Sequence, residues 1–408
     1  MEAEALAAGR AAARLSDEPV AEALRVAAAL ARERRGSVLA ANSADWEAAR
    51  STLDEGALDR LLLDDGRLEG LARQVEAVAA LPPLEREVAS RTLENGLVVS
   101  ERRVPIGVVG ANFEARPNVA LDVAGQLLKG LNAAVLRTGS AALRTVTALV
   151  DDVLRPALER AGLPGDAVGL VRSADREGAR VLVSSPGRIP LVILRGSGPS
   201  TAELARLAAE HGTATLAHAE GGGVLYVHAA ASREQTLAIA AASVDRLGVC
   251  NRLNLALVDR AAAGLVPQLL ALFAERGLEV RGDVDGALPL DRPLGHEWAS
   301  DPERVSTVTV ALVDGLDEAV RIAHEETSGL AAGIVTQDEA AARRFLDAYR
   351  GTAAFWHAPT RFADGFELTG APETGINVGW APGPRGPVTY RDLWLRQYRV
   401  VGDGSQSR

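Results

Sequence analysis

Between residues 104 and 211 the chain alternates short, continuous apolar runs with longer stretches of helical period, and this alternation restricts the fold more tightly than any other feature. Residues 104–110, 133–137, 168–171 and 191–194 read as strands, with helices over 118–131, 141–161, 174–183 and 201–211. A strand that is apolar on both faces must be covered on both. The pattern therefore predicts an α/β fold built on a parallel sheet flanked by helices. Such sheets take ligands at the carboxyl ends of their strands. Gly110-Ala-Asn-Phe113, Thr138-Gly139-Ser140 and Arg195-Gly196-Ser197-Gly198 mark where a cofactor should sit.

No Gly-x-Gly-x-x-Gly run opens the first of these helices, so an ordinary dinucleotide turn of that type is not supported. Arg195-Gly196-Ser197-Gly198-Pro-Ser200 can turn N–H groups toward a phosphate, yet glycine-rich strand-to-helix turns are common without ligands. Arg137 ends a strand; its guanidinium reads as a fork for a ribose phosphate or as a structural arginine. Upstream, residues 2–80 place apolar side chains three and four apart, as in Val20, Leu24, Ala27, Ala28 and Ala31, which predicts several helices. Asn42-Ser-Ala-Asp-Trp46 supplies a helix-start signal and Leu81-Pro-Pro-Leu84 a stop. From Ser90 the period shifts toward two, and Asn95-Gly96 predicts a hairpin.

At 408 residues the chain exceeds what one core usually supports, so two joined domains are expected. Its start carries acids and lacks a signal peptide's basic and apolar regions, which points to the cytoplasm. A net charge of −10 without a basic cluster argues against nucleic acid, and no basic amphipathic segment suits a membrane surface. The single cysteine, Cys250, cannot form an internal disulfide or a cysteine metal cluster, and no metal is expected. It is either apolar filler or a nucleophile whose thiolate attacks a carbonyl. Gly248 before it and Asn251 after it place it in a turn, where a sulfur can be exposed.

Val104-Pro-Ile-Gly-Val-Val-Gly110, Glu114-Ala-Arg116-Pro-Asn118-Val119 and Asn132-Ala-Ala-Val-Leu-Arg137 resemble the glutamate-5-semialdehyde dehydrogenases, or gamma-glutamyl phosphate reductases, a branch of the aldehyde dehydrogenase superfamily. Similar segments cover nearly the whole chain: Leu39-Ala-Ala-Asn-Ser-Ala-Asp45, Leu58-Asp-Arg-Leu61, His218-Ala-Glu-Gly221, Cys250-Asn251, Thr360-Arg361-Phe-Ala-Asp364-Gly365 and Arg385-Gly-Pro387. The resemblance implies an aldehyde dehydrogenase-like fold. A Rossmann-like cofactor domain would span 1–222, with a helical N-terminal part and a hairpin near 92–103. An α/β catalytic domain would span 223–380, and a segment over 381–408 would join the hairpin in a small oligomerisation sheet.

The resemblance further implies NADPH-dependent reduction of γ-glutamyl phosphate to glutamate-5-semialdehyde and phosphate, in proline biosynthesis, through a thioester on Cys250. Asn118 and the backbone N–H of Cys250 would stabilise the oxyanion. Arg137, Thr138, Gly139, Ser140, Arg195, Gly196 and Ser197 would contact the cofactor. Arg116, Asn251, Thr360, Arg361, Asp364 and Arg385 would serve the substrate. A homo-oligomer, with glutamate kinase as a partner, belongs to the same expectation. Two segments depart from the family pattern: Ser243-Val-Asp-Arg-Leu-Gly-Val-Cys250 keeps Arg246 but lacks the usual Lys and Pro, and Thr369-Gly-Ala-Pro-Glu373 replaces a Gly-Leu-Gly-Ala-Glu run. Three other readings stay open: a paralogue reducing a related amino-acyl phosphate, an aldehyde-oxidising dehydrogenase with Glu220 as the water-activating base, and a non-catalytic relative.

Overall fold

The computed structural model describes residues 1–196, 198–218, 221–301, 303–379 and 384–406. The chain divides into two compact units. One comprises Met1–Ala217, Ala371–Gly375 and Val388–Arg408, the other His218–Gly370 and Ile376–Pro387. Sequence reading expects breaks after 222 and 380, whereas the first unit here takes back 371–375 and everything from 388 onward.

Helical periodicity in the first 80 residues becomes buried stripes. Asp17–Glu33 buries Val20, Ala23, Leu24, Ala27, Ala28, Leu30 and Ala31, with spacings of three and four recurring along one face. The helix start expected at Asn42–Trp46 is a correction: these residues lie inside the helix Arg35–Ala49. Asn42 and Asp45 have the chemistry of caps but spend it across the fold. Asn42 Nδ2 donates to Leu61 O (2.9 Å) and its Oδ1 accepts from Leu63 N (2.7 Å), while Asp45 Oδ2 accepts from Thr145 N and Oγ1 at 2.8 and 2.7 Å. The side chains that do cap helices here are Asp54 and Asp64, which accept from Ala57 N and Arg67 N.

Strands β1 (Glu87–Thr92) and β2 (Val98–Pro105) form the expected antiparallel hairpin, with Gly96 at φ 85° in its turn. The run 104–110 reads as one strand but is two. Gly107, at φ 109°, turns the chain out of β2 and into β3 (Val108–Phe113), so the apolar run is shared between two sheets. The parallel sheet of this unit adds β4 (Ala133–Thr138), β5 (Val168–Val171), β6 (Leu191–Arg195) and β7 (Ala214–His218), in the order β5-β4-β3-β6-β7. Its helices include Val119–Lys129 after β3 and Gly198–His211 after β6. The long helix expected over 141–161 widens to a π turn at Leu149–Leu154 and resumes at Arg155–Arg160. Pro156 supplies no N–H to the preceding turn, and the wider turn accommodates that loss.

The second unit is another parallel sheet. Strands β8 (Gly223–Val227), β9 (Leu253–Asp259), β10 (Glu279–Asp283), β11 (Thr307–Val313), β12 (Ala331–Val335) and β13 (Ala353–Trp356) pair in the order β10-β11-β9-β8-β12-β13. One apolar cluster centred on Leu225, Ala256 and Phe273 and another on Tyr226, Leu257 and Phe345 enclose the sheet. Short strands β14 (Gly375–Asn377) and β15 (Gly386–Val388) pair with each other, and β16 (Trp394–Val401) pairs antiparallel with β2. The resulting β1-β2-β16 sheet leaves Leu395, Tyr398, Val400 and Val401 more than half exposed. Among the described residues, no helix is long and apolar enough to cross a membrane.

Candidate active site

The Cys250 turn follows the helix Arg233–Ser243 and precedes β9. Gly248, at φ 71°, gives the reversal that a residue with a side chain would strain to make. Cys250 is half-buried, packed beside Leu330, Ala331, Ala363 and Ile376.

The turn is braced from several directions. Gly222 N donates to Cys250 O at 2.6 Å. Ser328 Oγ donates to Gly221 O at 3.0 Å. Gly221 lies so close to the turn that an added Cβ would fall 2.5 Å from Cys250 Cβ. Thr360 Oγ1 donates to Asn251 O at 2.9 Å, and Asn251 Nδ2 donates to Arg361 O and Ala363 O at 3.0 and 3.2 Å. Arg361 donates through Nη1 to Asn251 Oδ1 and pairs through Nε with Asp245 at 2.8 Å. Asp364 caps the helix Gly365–Thr369 by accepting from Phe366 N at 3.0 Å.

Five residues named from sequence, Cys250, Asn251, Thr360, Arg361 and Asp364, thus share one neighbourhood, but the contacts of the last four run within the turn and its loop. Arg385 is also brought in. Its Nε donates to Val378 O (3.2 Å), Nη1 to Arg350 O and Nη2 to Ser328 O (3.5 Å), and burial lowers its pKa. It therefore reaches the residue that braces Gly221. Sequence reading missed Arg252, which is fully buried and donates to the carbonyls of Leu253, Val305 and Thr307. Burial pulls its pKa down to about 10. An arginine beside apolar residues carries no mark in sequence that separates it from a surface one.

In the first unit Arg137 and Thr138 end β4, followed by Gly139 and Ser140, and Arg195 ends β6 on the other side of β3, followed by Gly196. Arg137 corrects the expectation of a fork open to a ligand. It is 4% exposed, Nη1 donates to Asn112 Oδ1 (3.2 Å), and Nη2 donates to Ala174 O and Asp175 O (both 2.9 Å). The guanidinium clamps the 174–175 turn, and burial lowers its pKa. Beside that turn is a cavity of about 580 Å³ lined by Val171, Ser173, Asp175, Glu177, Gly178 and Arg188 among others. Ser197 and Glu220 lie outside the described residues.

These strand ends fit a dinucleotide. Gly139 and Gly198 border open space, the helix Gly198–His211 has no acid in its first turn, and the buried hydroxyl of Thr138 has no hydrogen-bond partner. Nearby, Arg116 is half-buried and Ser200 Oγ donates to Glu114 Oε1 at 3.0 Å. Asn118 stands at the start of the helix Val119–Lys129, with its Nδ2 donating to Asp122 Oδ2 at 3.1 Å. Asp122 was not singled out from sequence, although its spacing of four from Asn118 places both on one helix face. Burial pushes its carboxyl up to about 6, against the opposing pull of Arg195 and the Asn118 hydrogen bond and with Glu373 raising it further. No group of His, Cys, Asp and Glu among the described residues is arranged to hold a metal.

No protein-family model matches the chain. Gamma-glutamyl phosphate reductase from Sphingopyxis alaskensis is 39% identical over 407 residues, covering 97% of this chain and 92% of that protein. The crystal structure of gamma-glutamyl phosphate reductase from Thermotoga maritima is similar at a TM-score of 0.92 and 26% identity, covering 99% of each chain. A propionaldehyde dehydrogenase from Clostridium phytofermentans, 14% identical with a TM-score of 0.70 over 99% of this chain and 98% of its own, shares the fold alone. Full-length identity at this level, on an aldehyde dehydrogenase-like α/β fold, establishes that the chain belongs to the gamma-glutamyl phosphate reductase family.

Proposed function

We propose that this chain reduces γ-glutamyl phosphate to glutamate-5-semialdehyde and phosphate with NADPH, in the cytoplasm, as a step of proline biosynthesis. The observation that carries the reading is the only thiol of a chain of this family, half-buried in a turn braced from several directions. The Cys250 thiolate attacks the acyl carbon. The S–C bond forms, the bond to the phosphate oxygen breaks, and phosphate leaves with the electron pair. Asn118 and the backbone N–H of Cys250 donate to the oxyanion while it exists. NADPH, when bound, supplies the hydride that reduces the thioester. Collapse of the resulting hemithioacetal releases the aldehyde and returns the thiolate.

Thr138, Gly139, Ser140, Arg195, Gly196 and Ser197 hold the cofactor at the strand ends. Arg137 supports them from behind by fixing the 174–175 turn. Arg116 pairs with the substrate's phosphate or carboxylate. Asn251, Thr360, Arg361, Asp364 and Arg385 serve the substrate by keeping the Cys250 turn in place, since their contacts go to that turn and its neighbours. Glutamate kinase makes the acyl phosphate that is consumed. The exposed apolar β1-β2-β16 sheet pairs the chain with a second copy.

The test is the reverse reaction: glutamate-5-semialdehyde, phosphate and NADP⁺, with NAD⁺ alongside. Phosphate-dependent turnover is expected, with little activity toward simple aliphatic aldehydes, because a site that pairs charged groups rejects analogues lacking them. Cys250→Ala should abolish turnover and leave cofactor binding intact. Comparable efficiency on an unsubstituted aldehyde of similar length, or turnover surviving in Cys250→Ala, refutes the reading. The segment Thr369-Gly-Ala-Pro-Glu373 favours screening semialdehyde homologues in the same assay, since its departure from the family run bears on which amino-acyl chain is preferred.

A further inference from the structure

We propose that Asp122 is a positioning residue that fixes the amide of Asn118 for the oxyanion; this rests on the role given to Asn118 above. Asn118 has helical backbone angles (φ −55°, ψ −33°) and no side-chain cap bond, so its amide is not spent on the helix end. Its Nδ2 instead donates to Asp122 Oδ2, one turn along, at 3.1 Å. The two ends of an amide have similar shape and opposite hydrogen-bonding character. A carboxylate only accepts, so Asp122 selects the NH₂ end and holds one of its hydrogens in place. The second hydrogen then has a fixed direction. Were the amide turned over, its carbonyl oxygen would face the developing negative charge and repel it.

The surroundings do not account for Asp122 as a structural residue. Its Oδ1 is sealed from solvent and has no hydrogen-bond partner, which is a cost to the folded chain. The charged groups bearing on it are Arg195, from the end of β6, and Glu373, from the 371–375 segment. Arg195 favours the carboxylate, and Glu373 and burial oppose it, so the group takes up a proton near pH 6. A protonated Asp122 accepts through a neutral oxygen and grips the amide less firmly, because hydrogen bonds to ionised groups are about twice as strong as neutral ones. Turnover should therefore fall as pH drops through about 6.

The experiment is kcat and KM against pH for the wild type, Asp122→Asn, Asp122→Glu and Asn118→Ala. Asp122→Asn keeps the shape and mimics the neutral state. It should run at every pH at the reduced kcat that the wild type shows below pH 6, about tenfold down, with KM little changed. That loss is smaller than the roughly 10²–10³-fold expected for removing the oxyanion donor itself in Asn118→Ala. Asp122→Glu, which retains a charge, should keep an acid limb at a displaced midpoint and guards against failure of the other variant to fold. An Asp122→Asn enzyme with kcat within twofold of wild type, or with the acid limb unmoved, overturns the proposal. An acid limb unmoved in Asp122→Glu does the same. If Asn118→Ala itself keeps its kcat, the oxyanion role of Asn118 fails and the proposal with it. A damaged Asn118→Ala beside an unaffected Asp122→Asn sinks the proposal alone.

Discussion

Gly221→Ala offers the most direct test of the braced cysteine turn. An added Cβ would lie 2.5 Å from Cys250 Cβ, 2.6 Å from Cys250 O and 2.8 Å from Cys250 Cα. Carbon atoms rest at about 3.5–4.0 Å, so one side must retreat by roughly 1 Å. The intruded atoms are backbone and Cβ rather than the loose end of a long side chain. Retreat is opposed on both sides: Gly222 N holds Cys250 O at 2.6 Å, and Ser328 Oγ holds Gly221 O at 3.0 Å. Overpacking of this kind costs about 1–3 kcal/mol of stability. A displacement of about 1 Å at a reacting group costs on the order of 10²-fold in rate. The variant should therefore stay folded at assay temperature with its kcat reduced about a hundredfold. The assay is the reverse reaction, with iodoacetamide labelling of Cys250 to count intact thiols and a thermal melt to count folded protein. Turnover within threefold of wild type, at full thiol and fold, would show that the turn accommodates the methyl and that its position is not what the bracing protects.

Arg252→Met should lower stability by about 2–4 kcal/mol, because it withdraws the donors of three carbonyls, two of them in buried bonds; an unchanged denaturation midpoint would refute this. Asp122 makes a prediction of opposite sign. Its carboxyl rises on folding from 3.8 to about 6, so the associated stability is fully present below pH 3.8 and is lost as pH rises through 6. Asp122→Asn should thus be more stable than wild type by about 1–3 kcal/mol at pH 8, with the gap closing toward pH 4; melts showing the same gap at both pH values refute it. Gly70→Ala, inside the helix Asp65–Ala80 with open space around it, should raise stability by about 0.5–1 kcal/mol, measured by the same melts.

The strands and helices between Val104 and His211 were legible because periodicity is a local property, and each run there carries enough residues to declare its period. What was misread had a non-local cause. Asn42 and Asp45 look like helix starters because a cap is the commonest local use of their side chains, but Leu61, Leu63 and Thr145 claim them instead. Residues 104–110 looked like one strand because apolarity does not reveal that Gly107 adopts a positive φ. At the site, Cys250 was legible as a turn residue from Gly248 and Asn251. The link from its neighbour Asn251 to Thr360, Arg361 and Ala363 spans more than a hundred positions and came only through resemblance. Arg137 was legible as the end of a strand. That its guanidinium is spent on Asn112 and the 174–175 carbonyls depends on two other loops, which no reading of its own neighbourhood supplies.

Arg137 and Arg252 solve the same physical problem in different units. Each is a buried guanidinium that the described hydrogen bonds join to neutral acceptors rather than to a carboxylate, and in each burial lowers the pKa. Burying such a charge is unfavourable in itself, yet removing it alone strands the acceptors it holds. What an apolar residue cannot do is tie carbonyls of separate turns and strands together. A planar guanidinium with five donors can bridge several acceptors at fixed angles, and it remains charged in any neutral solution. Lys129, the sole lysine in the chain, is the contrast: it too is buried, its single nitrogen donates to Ala79 O at 3.1 Å, and burial lowers its pKa. Arg137 fixes the turn beside the strand ends that fit a dinucleotide, and Arg252, two residues after Cys250, ties the start of β9 to Val305 and Thr307. In both places the fold accepts a buried charge to hold a turn or strand start in position.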